Sequence, residues 1–176
     1  MISYVDIVKF HGHECPGLAI GYRMSLAAMA ALGAAPAGDE ELVAIVENDA
    51  CGVDALQMVS GCTFGKGNLV FRDHGKQVYT LFSRTSGRSV RVLFHGRGMP
   101  AEVKDDRLAR AAWILSAPEE AIVSTGPALL ELPAAARVSS SVPCAICGEP
   151  VMEGRLRQVD GQGVCIPCAG EAPCPE

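Results

Sequence analysis

The chain has 176 residues, 49% of them hydrophobic and 20% charged, which suits one domain with a substantial core plus a smaller appendage and no need of disulfide staples. A net charge of −5 argues against general affinity for nucleic acid or an anionic membrane, since either needs a basic excess. No apolar run reaches the roughly 18 residues of a membrane span, and no basic segment followed by an apolar one opens the sequence, so the expected location is the cytoplasm.

Ser3 is placed to cap a short helix from about Tyr4 to Phe10, with Tyr4, Ile7, Val8 and Phe10 on its apolar side. Directly after it stand His11-Gly12-His13-Glu14-Cys15-Pro16-Gly17. Imidazole and thiolate are preferred ligands of zinc and related metals, and the Gly and Pro residues let the segment bend around one point. Pro16 and the helix formers up to Leu32, stopped by Gly33, predict a second helix with a small-residue surface suited to close packing. Leu42 to Val46 reads as a buried strand that delivers Glu47, Asn48, Asp49 and Cys51 at its C-terminal end. A helix through Val53, Leu56, Gln57 and Val59, capped by Asp49 or Gly52 and ended by Gly61, would be flanked by Cys51 and Cys62.

Alternation between Asn68 and Phe94, broken at Asp73-His74-Gly75 and Thr85-Ser86-Gly87, predicts an antiparallel three-stranded meander. A helix from about Asp105 to Ser116 follows, and Ser116-Ala117-Pro118-Glu119 reads as a capping box for another short helix through Val123. Leu129 to Leu132 is expected to pair briefly as a strand. The expected organisation is a metal-binding core at 1–132, an Ala/Ser/Pro linker at 133–143, a four-Cys domain at 144–170 and a tail at 171–176. The fold class is α+β, an antiparallel sheet packed with helices, plus a small zinc-ribbon or treble-clef-like C-terminal domain.

Of eight cysteines, four form two C-x-x-C pairs, Cys144/Cys147 and Cys165/Cys168, separated by 17 residues. That spacing is the signature of a four-thiolate zinc site, with rubredoxin-like iron as the alternative. About 30 residues cannot bury a core, so the ion contributes much of the folding free energy, and four thiolates close its coordination. The N-terminal set differs: His11, His13, Cys15, Cys51 and Cys62 offer more ligands than one tetrahedral ion needs. His13 and Cys15 are the first choices as ligands of zinc or another transition metal, with Cys51 third. His11 or Cys62 is left as a fourth ligand, a supporting group or a reactive thiol, which makes Cys62 a candidate catalytic residue. Glu14 and Asp49 are candidates to orient an imidazole or move a proton, or else are solvated carboxylates at helix ends.

Weaker signals are easily weighed. Ser60 to Gly67 lacks the first Gly and the Ser/Thr of a phosphate loop. Lys66, Arg72, Lys76, Arg84, Arg88, Arg91 and Arg97 form either a basic face for an anionic ligand or a solvated edge that discourages strand pairing. His74 fits a turn, and His95 stands at a strand end from which it could face the metal pocket.

Three blocks in order, Phe10 to Gly17, Glu47 to Ala55 and Gly61 to Asn68, resemble the formylmethanofuran dehydrogenase E-subunit family over about residues 3 to 130. Cys144 to Cys168 is similar to the C-terminal zinc segment that members of that family often carry. The resemblance implies an α+β core that dimerises and holds a metal near the His-Gly-His-x-Cys-Pro-Gly block. Formyl oxidation needs a molybdenum or tungsten pterin and iron–sulfur clusters, and the sequence has no ferredoxin-type Cys run, so that activity would belong to partner subunits.

The leading expectation is therefore a metal-binding accessory protein, a homodimer, whose core site binds a small anionic or sulfur-containing ligand, a sulfur species or a metal for a redox enzyme. The alternative is a free-standing enzyme in which the core metal activates water or Cys15 or Cys62 acts as nucleophile. A third reading is a zinc-finger regulatory module. Residues 134–176 carry three Arg against five acids, which argues against nucleic acid as its partner.

Overall fold

The protein, seen as a computed structural model, is described over residues 2–128, 130–136 and 139–171, and it divides into two units between residues 136 and 137. In the first unit Ser3 Oγ accepts the amide of Asp6 and starts α1 (Tyr4–His11), which Gly12 ends at φ 93°. That left-handed cap suits glycine and turns the chain abruptly into His13 and Cys15. Helix α2 (Pro16–Leu32) opens with proline in its first turn and ends at Gly33. Arg88 donates to the carbonyls of Ala31 and Leu32 and so satisfies the end of α2 from outside.

Strands β1 (Leu42–Val46), β2 (Leu69–Phe71), β3 (Val78–Ser83), β4 (Ser89–Phe94) and β5 (Val123–Gly126) form one sheet in the order β2-β1-β3-β4-β5. The pairs β1–β3, β3–β4 and β4–β5 are antiparallel. β2, however, lies parallel to β1, with Ala44 opposite Leu69. The expected three-stranded meander is thus a β3–β4 hairpin, and Leu69–Phe71 has crossed to the far side of β1. Helix α3 (Gly52–Ser60) is the crossover that a parallel pair requires, and three alternating residues do not reveal their partner.

The end of the first unit also departs from expectation. Helix α4 (Arg107–Ser116) is capped by Asp106, and the short α5 (Glu119–Ile122) stops where Val123 opens β5. Ser116 caps nothing ahead of it; its hydroxyl turns back to the carbonyls of Ala112 and Trp113. Arg23 of α2 donates to the carbonyls of Ile114, Leu115 and Ala117, fastening the end of α4. Leu129 lies outside the described residues, and residues 130–132 form no strand.

One face of the sheet, with Ala44, Val46, Tyr79, Leu81 and Val92, packs on the helices through Leu18, Met24, Leu56 and Ile114. Each such fully buried aliphatic side chain contributes about 1.5–3 kcal/mol. The other face, with Val43, Ile45 and Phe82, is met by Val70, Ala128 and Leu130. Burial on both faces explains why β1 is a continuous apolar run. α2 and α3 cross on glycine: a Cβ at Gly21 would overlap the backbone of Gly52. Their first turns therefore lie side by side.

In the second unit β6 (Ser141–Pro143) pairs with β7 (Pro150–Met152), and β8 (Arg157–Val159) pairs with β9 (Gln162–Val164). The β8–β9 turn falls at Asp160-Gly161, both at positive φ, as its sequence predicts. The linker expected at 133–143 is shorter than its composition implied. Ala136 donates its amide to the Glu40 carboxylate, and residues 141–143 are already β6. Residues 137 and 138, and the part of the expected tail beyond Glu171, lie outside the described residues.

Candidate metal centre

Three helix ends build the core site. His11 is the last residue of α1, Cys15 the N-cap of α2 and Cys51 the N-cap of α3. The ligand atoms of His11, His13, Cys15 and Cys51 all lie within 4.8 Å of one another. A tetrahedral zinc ion, with bonds of about 2.0 Å to nitrogen and 2.3 Å to sulfur, spaces its ligand atoms roughly 3.3–3.8 Å apart. The spread of the four ligand atoms is compatible with their gathering around one such ion.

Each ligand has its own support. Cys15 Sγ accepts the amide of Leu18 at 3.3 Å, one of the free N–H groups at the start of α2. Burial, followed by the hydrogen bond and charge of Cys15, pushes the neighbouring Cys51 thiol up. His11 Nδ1 lies 2.7 Å from Asp54 Oδ2, while its buried Nε2 has no hydrogen-bond partner among the described residues. A neutral ring that donates Nδ1–H to Asp54 leaves the Nε2 lone pair for a metal, the arrangement that fixes tautomer and orientation in metal sites. Beyond the Gly12 turn, the exposed His13 ring stands 4.5 Å from that of His11.

Beside this group opens a cleft of about 430 Å³ whose walls include His11, Cys51, Asp49, Asp54, Phe64 and Phe71. Phe64 is 78% exposed and Phe71 46%, so two aromatic faces are available at its rim. Asn48 steadies the floor: its side chain accepts the Ala50 amide and donates to the Lys76 carbonyl.

The remaining predicted residues stand outside the ligand group, Asp49 among them although it lines the adjoining cleft. Glu14 and Asp49 are exposed and neither belongs to the ligand group; the contact that orients His11 comes from Asp54. Cys62 is fully buried and outside that group, and burial pushes its thiol up, the surroundings of an inert cysteine. His95 Nδ1 accepts the Arg97 amide in an exposed turn, and His74 pairs with buried Glu47 at 3.1 Å. The basic side chains do not act as one face, since Lys66 bonds the Ala37 and Gly38 carbonyls, Arg88 the end of α2, and Arg91 lies 3.6 Å from Glu47.

Two residues near the site are not singled out by the sequence patterns, Asp54 and Tyr79. Asp54 stands three positions after Cys51, on the same side of α3, and that spacing was the available signal. Tyr79 stands in the fully buried strand β3. Its phenol is held above its ordinary value by burial and then by the charges of Asp54 and Cys51.

In the second unit the sulfurs of Cys144, Cys147, Cys165 and Cys168 also lie within 4.8 Å of one another, with Cys147 and Cys165 at 3.9 Å. Amides of Ile146 and Cys165 point at Cys144 Sγ, and that of Cys168 at Cys165 Sγ. Backbone N–H groups, those of Cys147 and then Cys165 foremost, lower the Cys144 thiol to about 6. Sulfurs surrounded by N–H donors suit a closed four-thiolate ion.

Residues 10–124 match the family profile described as FmdE, Molybdenum formylmethanofuran dehydrogenase operon. The chain belongs to the FmdE family. Residues 138–173 match the prokaryotic dksA/traR C4-type zinc finger. Among solved structures, the FmdE chain is similar to a tungsten formylmethanofuran dehydrogenase FmdE-like protein from Syntrophus aciditrophicus, with a TM-score of 0.72 and 28% identity over 98% of this chain and 95% of that one. It is also 30% identical, over 92% of its length, to a protein of Archaeoglobus fulgidus named a probable S-adenosyl-L-methionine-binding protein. It spans 51% of that relative. No helix among the described residues is long and apolar enough to cross a membrane.

Proposed function

We propose that this FmdE-family protein is a metal-dependent small-ligand-binding accessory protein that acts, as a homodimer, beside a redox enzyme. The observation that carries this reading is the junction of the His/Cys group with the cleft, because His11 and Cys51 belong to both. A bound ion supplies Lewis acidity and affinity for soft donors such as sulfur. The chain's own residues divide the remaining work. Cys15 anchors the site from a buried helix N-terminus, Asp54 holds the His11 ring, and exposed His13 is the ligand placed to give up its position to an incoming donor.

The cleft also selects by charge. Asp49 and Asp54 line it, no Lys or Arg among the described residues does, and Phe64 and Phe71 stand at its mouth. These walls favour a cationic ligand with an apolar or aromatic part over the anionic one considered from sequence. S-adenosylmethionine, the sulfonium nucleoside named for the archaeal relative, combines positive charge, sulfur and an aromatic base, and is the first compound to test. The buried, raised Cys62 thiol gives no support to a free-standing enzyme with that nucleophile.

Calorimetry on the zinc-loaded chain tests the reading by comparing S-adenosylmethionine with S-adenosylhomocysteine, which lacks the positive charge. The expected result is at least about tenfold tighter binding of the sulfonium, a preference reduced in Asp49→Asn and lost with the core metal. Equal affinity for the two compounds, or binding indifferent to the core metal, overturns it.

A further inference from the structure

Buried polar atoms without a partner are few in native proteins and call for an explanation. The hydroxyl of Tyr79 is such an atom: the residue is fully buried and its oxygen has no hydrogen-bond partner among the described residues. Its position is well defined. Tyr79 lies on β3 opposite Val46 of β1, and its hydroxyl reaches the first residue of α3, so that a Cβ added to Gly52 would lie 2.6 Å from the oxygen. Gly52 follows Cys51 directly. The other atoms closest to that spot are the Gly17 carbonyl and Gly21 Cα, from the first turns of α2, which starts at Cys15. The phenol therefore projects between the two helix starts that carry the sulfurs of the core site.

A phenylalanine would fill the same space without leaving a donor stranded in the core. The hydroxyl is explained if its acceptor forms only in the metal-bound state. We propose that Tyr79 is a positioning residue of the core metal centre, donating its O–H to Cys51 Sγ when that sulfur holds the ion. This rests on the core metal site described above. No proton leaves the phenol; it contributes a hydrogen bond. The two thiolates then have one donor each, the Leu18 amide on Cys15 and the Tyr79 hydroxyl on Cys51. Such a bond draws electron density from sulfur, holds the side chain toward the ion and makes the thiolate a poorer nucleophile.

The test compares wild type and Tyr79→Phe as full chains. In the metal-loaded state the variant is expected to hold the core ion about tenfold more weakly. Cys51, followed by mass spectrometry, alkylates several-fold faster, with Cys15 unchanged. With cobalt(II) in place of zinc, the sulfur-to-metal charge-transfer band moves to lower energy, and the four-Cys site contributes equally to both spectra. Without metal the sign reverses: removing an unpaired hydroxyl leaves the thermal midpoint equal to wild type or raises it. Unaltered affinity and cobalt spectrum overturn the proposal, and so does a metal-free variant that is less stable or fails to fold, because the hydroxyl then has a partner in the protein itself. A wild-type chain that takes up an ion only at the four cysteines refutes the core metal centre instead, and the two failures are told apart by metal content.

Discussion

The two candidate metal sites of this chain draw on the same device, a cysteine sulfur met by backbone amides, yet they stand in opposite relations to the fold. The four-Cys site collects its ligands from two short knuckles in a unit whose buried residues are little more than Cys144, Val164 and Cys165. There the ion substitutes for a core. The His/Cys site takes its ligands from three helix ends held by a hydrophobic core of α1 to α4 and the large sheet. That core is built mainly from apolar side chains, so its site can mix nitrogen with sulfur, leave His13 exposed and face a cleft. A metal that makes the fold must be enclosed; one that is placed by the fold is free to work.

The largest expected effect breaks this comparison most directly. Cys144→Ser/Cys147→Ser removes about 10 kcal/mol of metal-coupled folding free energy from the second unit. Metal content of the pure protein should fall from two ions per chain to one, with residues beyond 137 becoming protease-sensitive and the first unit intact. Loss of both ions together, or a wild-type content of one, would show that the sites are not independent.

The sequence carried much of this contrast because the decisive signals are local. Ser3, Gly33 and Gly61 cap the helices assigned to them, and the C-x-x-C spacing and Asp160-Gly161 turn outline the second unit. Four of the five candidate core ligands converge, since His11, His13 and Cys15 are adjacent in sequence and Cys51 ends a strand connection readable from its pattern. What could not be read depends on how elements cross. β2 chose a parallel partner on the far side of β1, and nothing within three residues encodes that choice. Asp54 meets His11 only because α1 and α3 pack together, and Tyr79 has the pattern of an ordinary core aromatic until its hydroxyl is seen beside Gly52.

Next in size is a graded series at the core site, ranked by how firmly each residue is held. Cys15→Ser should abolish core metal binding, because the lost sulfur is buried and bound to the start of α2. Asp54→Asn keeps the ligands but weakens the hydrogen bond that fixes His11, and should lower affinity about 10- to 100-fold. His13→Ala should cost less than either, as water can take the place of an exposed ring. Competition with a chromogenic chelator gives all three numbers. If His13→Ala proves as damaging as Cys15→Ser, the site is closed like its four-Cys counterpart and His13 is not the exchangeable ligand.

The smallest effect separates Cys62 from every other thiol in the comparison. Its surroundings are apolar enough that burial, the largest influence, outweighs the lowering by Ser60 and Lys66 and raises the folded-state value. The unfolded thiol ionises near its ordinary value of about 8.5. A folded value above the unfolded one means that stability is fully present below that pH and is lost as pH climbs toward the raised folded value, because the unfolded chain gives up its proton first. Cys62→Ala leaves a small cavity and should be destabilised at pH 7, but it lacks this titration. The gap between wild type and variant, measured by urea unfolding of the metal-loaded chain, should therefore narrow from pH 7 to pH 10. Metal content should stay at wild-type level throughout. A variant that loses an ion at pH 7 would make Cys62 a ligand after all, and the core site would then be a second closed cluster rather than an open one.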